Sequence, residues 1–164
     1  INNLPYLKYI AETGSSIILS TGMADMKEIV KAVDTITQTG NKNLCVLHCV
    51  SIYPCPSENI NLRNIETLRD HFKNISIGYS DHTIGNEVPI AAVAMGAPII
   101  EKHFTLDSSA IGMDNQMATE PKAFKNMIDL CNSAFASLGS LSRVVSDEEL
   151  SQRVNMRRSV VTKM

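Results

Sequence analysis

Histidines follow a hydroxyl or a carboxylate at a spacing of two at the ends of apolar runs: Ser80 with His82, and Glu101 with His103. In an extended strand such residues project from one face, so each pair presents its side chains together. If the runs are neighbouring parallel strands, about 4.8 Å apart, both imidazoles can converge on a single ion. Two histidines leave most of a coordination sphere to water or substrate oxygens, which favours manganese or magnesium over a closed zinc site. The simpler alternative is a pair of strand-end histidines that only hydrogen-bond their loops. Two more polar clusters end earlier runs, Ser20-Thr21-Gly22 and Ser51-Ile52-Tyr53-Pro54. Hydroxyls there can cap the following helices, but so many on one rim favour an oxyanion or phosphate cradle. By parity, Lys102 turns away from His103 and is expected to face outward. His48, out of phase with Ser51 and Tyr53, is expected to face the helical layer as a structural residue. His71, late in an amphipathic stretch, reads as solvated near a helix C-terminus.

The elements that must position these residues follow from periodicity. Short apolar runs rich in β-branched residues cover 17–20, 44–50, 75–80 and 98–104, each too short for a buried helix. Between and after them, residues 26–37, 62–72, 88–95 and 121–138 carry apolar side chains at helical spacing. Strand then helix, repeated in this way, predicts an α/β fold with a parallel sheet and right-handed crossovers. In such sheets the ligand lies beyond the carboxyl ends of the strands, where the polar clusters fall. Asp25 with Glu28 predicts an N-cap with an acid in the first turn, Pro121 suits a first helical position, and Gly40 and Gly139 suit C-caps. Residues 4–13 predict a further helix closed by Gly14. Residues 140–158 are polar and read as a linker or a short helix, and Val160-Val161 reads as a strand cut short.

The 164 residues carry 15 Lys plus Arg and 17 Asp plus Glu, a formal charge of -2. That balance argues against nucleic acid as a partner, because phosphate-backbone binding needs a basic face. Hydrophobic residues at 44% and charged ones at 20% exclude a disordered chain and favour one globular domain. No apolar run reaches the roughly 18 residues of a membrane span, and no signal-peptide pattern opens the chain. The expectation is a cytoplasmic protein without a membrane partner. Cys45, Cys49, Cys55 and Cys131 have neither CxxC nor zinc-ribbon spacing and read as buried free thiols. The chain opens at Ile1 rather than Met, and is expected to be part of something longer.

At these residues the chain resembles a known family. The segments IILSTGM (17–23), LHCVSIYPCP (47–56), IGYSDHTIG (77–85) and IEKHFTLD (100–107) are similar to those of the sialic acid synthase family, the phosphoenolpyruvate-dependent nonulosonic acid synthases. The resemblance runs over essentially the whole chain, with the motifs in the family's order. It implies a (β/α)8 TIM barrel followed by a small antifreeze-like domain. Residues 1–142 would be the C-terminal half of the barrel, strands five to eight, and residues 143–164 a linker and the start of a truncated antifreeze-like domain, approached at RRSVV (157–161). The family's Lys-Ile-x-Ser-Gly segment would lie just upstream of Ile1. Carried over by position, His82 and His103 match the family's metal ligands, for Mn2+ or Mg2+. Ser20, Ser51 and Ser80 match positions around phosphoenolpyruvate, and Tyr53, Glu101 and Asp114 match positions lining the sugar site. Some members carry Asn at the position of Ser51, and many have His or Ser at that of Asn115.

The activity implied is condensation of phosphoenolpyruvate with an N-acetylated hexosamine, N-acetylmannosamine for sialic acid itself, with phosphate leaving by C–O cleavage. Glu101 would orient the sugar or handle a proton. A homodimer is implied for the full-length protein. The alternatives are a legionaminic or pseudaminic acid synthase of the same family, a non-catalytic half-barrel, and a flavodoxin-like binding domain. The last is disfavoured because GxGxxG is absent. A half-barrel on its own is expected to be inactive and not to persist as a stable monomer.

Overall fold

Parallel strands alternate with helices throughout the computed structural model, which describes residues 1–158. The order is α1 (Leu4–Glu12), β1 (Ile17–Ser20), α2 (Met26–Thr37), β2 (Leu44–Cys49), a 3-10 turn at Ser57–Asn59, α3 (Asn64–His71), β3 (Ser76–Asp81), α4 (Glu87–Ala94), β4 (Ile100–Lys102) and α5 (Pro121–Leu138). Two short helices, α6 (Asp147–Ser151) and α7 (Arg153–Met156), follow. The strand expected around Val160 lies outside the described residues.

The sheet order is β1-β2-β3-β4, all pairs parallel. A sheet laid down strictly in chain order has no topological switch point, so the flavodoxin-like alternative is excluded and the sheet is a barrel segment. Among the described residues β1 and β4 each pair on one side only. Ile17 and Leu19 are buried beneath the helices, with Val46 and Ile77 beside them and Ile29, Val33, Ile36, Ile65 and Leu68 supplying the opposite layer. Ile18 and Ser20, on the other face of β1, are exposed. That second face is the lumen side, and the ladder carries it across the strands through Leu47, Gly78, Cys49, Ser80 and Glu101.

Local chemistry sets the helix limits. Asp25 accepts from the Glu28 N–H at 2.9 Å while the Glu28 carboxylate accepts from the Asp25 N–H at 3.0 Å, a reciprocal capping box that starts α2 where the sequence predicts. Pro121 opens α5 at its first position. Gly14, Gly40 and Gly139 all adopt positive φ just beyond helix ends. The fourth strand is shorter than the apolar run 98–104 implies. Beyond Lys102 the chain pairs with its own downstream loop: Thr119 N–H donates to the His103 carbonyl at 2.8 Å and Thr105 N–H to the Thr119 carbonyl at 3.1 Å. His103 therefore sits past the ladder, on a loop anchored to residue 119.

Candidate active site

The carboxyl ends of β1 to β4 open onto one rim, which gathers most of the predicted residues. His82, the residue after β3, is buried, and its Nδ1 lies 2.7 Å from the Val50 carbonyl oxygen at the end of β2. A carbonyl only accepts, so Nδ1 carries a hydrogen, and in the neutral ring the lone pair is on Nε2. His103 stands beside it, with ring centroids 5.1 Å apart and planes at 65°. Tyr53 covers both rings, with centroids 4.3 Å from His82 and 5.7 Å from His103. The His82 carbonyl is itself held by Cys55 N–H at 2.8 Å, which ties the β2 loop bearing Tyr53 to the end of β3.

Acidic groups flank the imidazoles. Ser80 donates its hydroxyl to Glu101 Oε1 at 2.7 Å, across the rung that pairs these residues in the ladder. Asp114 Oδ2 lies 3.6 Å from His103 Nδ1. Ser51 reaches the same cluster through Cys49, whose Sγ is 3.9 Å from both Ser51 Oγ and His82 Nδ1. A Cβ at Gly22 would come within 2.2 Å of Ser51 Oγ, so the β1 loop lies directly against the Ser51 side chain and a larger residue there would turn that hydroxyl aside. Ser20 occupies the far side of the rim, exposed at the end of β1, and is not brought against the imidazoles.

Among the described residues no three His, Cys, Asp or Glu side chains converge as a closed metal cage. The His82 and His103 imidazoles are the donors that face each other, and a cation held there would draw its remaining ligands from water or substrate.

Three neighbouring groups are structural. His48 is buried on the helix side with Nε2 2.7 Å from the Ile60 carbonyl, and burial pushes its pKa down, keeping it neutral. Burial raises the thiols of Cys45 and Cys55, and all four cysteines are free, as read from their spacing. His71 is exposed at the last residue of α3. Lys102 does turn away from the lumen but does not reach solvent. Its side chain is 2% exposed and its Nζ lies 2.5 Å from Asp81 Oδ2 behind the sheet. Sequence reading missed this partner; the available signal was an opposite charge immediately before each rim histidine.

A parallel half-barrel with a polar rim at its strand ends is the architecture of the TIM-barrel family, whose active sites lie on that face. The chain belongs to the NeuB family, whose model matches residues 1–143. It is 43% identical to an N,N'-diacetyllegionaminic acid synthase of Legionella pneumophila, over 98% of this chain and 46% of that protein. It is also 43% identical to an uncharacterized protein, MJ1065, of Methanocaldococcus jannaschii, over 97% of this chain and 47% of that one. The crystal structure of an N-acetylneuraminic acid (sialic acid) synthetase from Leptospira borgpetersenii, in complex with citrate, superposes with a TM-score of 0.83 at 36% identity. It is matched over 96% of this chain and 55% of that one. The chain thus spans about half the length of the curated relatives it matches.

Proposed function

We propose that the protein containing this chain is a nonulosonic acid synthase that condenses phosphoenolpyruvate with an N-acetylated hexosamine, and that the rim described above is the C-terminal half of its active site. The observation that carries the reading is the Tyr53, His82 and His103 cluster on the lumen rim of a NeuB-family chain.

In this reading C3 of phosphoenolpyruvate attacks the open-chain sugar aldehyde, forming the new C–C bond. Water adds at the former enol carbon, and the C–O bond to phosphate breaks. Ser20 and Ser51 donate O–H groups to the anionic oxygens of phosphoenolpyruvate, and Ser80 joins them when its hydroxyl swings from Glu101 to the substrate. Asp114 and the Tyr53 hydroxyl hold sugar hydroxyls. Glu101, already oriented by Ser80, accepts a proton from the sugar or the attacking water. The donor set fits Mn2+ or Mg2+, with His82 Nε2 free and the His103 imidazole beside it. Such a cation, when bound, supplies Lewis acidity toward the aldehyde oxygen.

The acceptor is read as N-acetylmannosamine, giving N-acetylneuraminate. A second reading, a diacetylated hexosamine giving legionaminic acid, is favoured by the identity to the Legionella relative. Phosphate release from phosphoenolpyruvate by the full-length protein, measured across a panel of N-acetylated hexosamines, tests both. One sugar should support turnover, and bridging 18O should end in the phosphate released. If no sugar stimulates release, or the label stays in the keto acid, the synthase reading fails.

A further inference from the structure

The charges behind the rim are placed with more care than sheet cohesion calls for. Asp81 and Lys102 form the last rung of the β3–β4 ladder, on the face opposite the lumen, and each immediately precedes a rim histidine. Their side chains are 0% and 2% exposed. Most bonds of this pair bear on the residues either side of His82, with the Tyr79 hydroxyl added from within β3. Asp81 Oδ1 accepts from Thr83 N–H at 3.0 Å, from the Thr83 hydroxyl at 2.8 Å and from the Tyr79 hydroxyl at 2.9 Å. Lys102 Nζ donates to Asp81 Oδ2 at 2.5 Å and to the Thr83 carbonyl at 2.6 Å. Lys102 therefore spans from the residue before His82 to the residue after it, while its own backbone leads directly into His103.

Burying two charges is costly, and apolar side chains of like volume usually stabilise such a position as well or better. The backbone ladder ends at this rung, so beyond it the network on this face joins the tips of β3 and β4, as the Ser80–Glu101 bond does on the lumen face. We propose that Asp81 and Lys102 are positioning residues that fix the spacing of the His82 and His103 imidazoles without touching substrate. This rests on the reading of those histidines as a divalent-cation site. The pair acts on the imidazoles as outer partners act on metal ligands elsewhere, and loss of such partners lowers metal affinity about ten- to hundredfold.

The test titrates Mn2+ alone into the full-length protein, following the free-ion signal by electron paramagnetic resonance, with circular dichroism and thermal melts alongside. The double variant Asp81→Asn/Lys102→Met removes both charges but keeps an acceptor for Tyr79 and Thr83. It should melt cooperatively like the parent, and its Mn2+ affinity should fall about tenfold or more. A folded double variant whose affinity stays within about twofold of the parent overturns the proposal. If the double variant does not fold, Lys102→Met alone takes its place, since Asp81 then keeps its three donors from Tyr79 and Thr83. It should bind Mn2+ about threefold or more weakly, and unchanged affinity again overturns the proposal. His82→Ala separates the two readings. If it binds Mn2+ as the parent does, or if neither binds, the cation-site reading fails and takes the positioning role with it. If His82→Ala alone loses binding, only the positioning role fails.

Discussion

With its Nδ1 hydrogen committed to the Val50 carbonyl, the His82 ring keeps Nε2 free beside the His103 imidazole, ring centroids 5.1 Å apart. Replacing that imidazole removes a donor, its bond to the Val50 carbonyl and its packing under Tyr53, all at the rim and away from the core between sheet and helices. His82→Ala in the full-length protein should therefore abolish Mn2+ stimulation and nearly all turnover while far-ultraviolet circular dichroism is preserved; full activity at saturating Mn2+ would remove the metal assignment. The serines call for a different measurement. Ser20→Ala and Ser80→Ala each delete one hydrogen bond to a charged group, about 1.5 to 3 kcal/mol, so the KM for phosphoenolpyruvate should rise roughly ten- to hundredfold. A change confined to the sugar's KM would assign these hydroxyls to the other substrate. Ser80 and Glu101 were legible because parity within a strand needs only the sequence, and His82 and His103 were legible from the same alternation although they lie just past the ends of β3 and β4. The Asp81 and Lys102 partnership was not, because which rung of β3 meets which rung of β4 depends on register, and register comes from packing.

Among the elements, α2 and α5 coincide with their apolar periods because a capping box and a leading proline fix where they begin. β4 does not, because residues 104–119 compete for its last backbone groups, and no local pattern announces that return. β3 holds a tight crossing at Gly78, where a Cβ would lie 2.6 Å from both the Ile99 carbonyl oxygen and Leu47 Cδ2. Ile99 offers backbone and cannot swing aside, so Gly78→Ala should cost about 1 to 3 kcal/mol in urea unfolding and loosen the β3–β4 pairing. An unchanged midpoint would mean that the strands part at little cost. β2 carries a titrating element in His48. Its pKa is depressed in the folded state, so below about pH 6.5 the unfolded chain binds the proton that the folded chain refuses. Stability is therefore unaffected above that pH and falls as pH drops toward the depressed value. His48→Gln can still donate to the Ile60 carbonyl, and its unfolding free energy should lose less between neutral pH and pH 5 than the parent's.

At the scale of the whole chain, apolar side chains stay uncovered on the lumen side of the sheet as well as on α5, where Phe135 is exposed. Ile18 is 56% exposed on the lumen side, and β1 and β4 each present an unpaired edge among the described residues. A lone chain of residues 1–164 should thus self-associate and should release no phosphate from phosphoenolpyruvate; a monodisperse monomer by light scattering or measurable product would contradict one part or the other. Because every strand runs the same way, β4 of one copy can continue into β1 of another without reversing direction. The two edges are different surfaces, so the contact is head to tail and its outcome depends on the angle it imposes. A half-turn per copy brings the second copy's β4 back to the first copy's β1, giving a twofold-symmetric ring of fixed mass. Any other angle leaves an edge free at each end, and the same contact then yields a helical filament without a defined length.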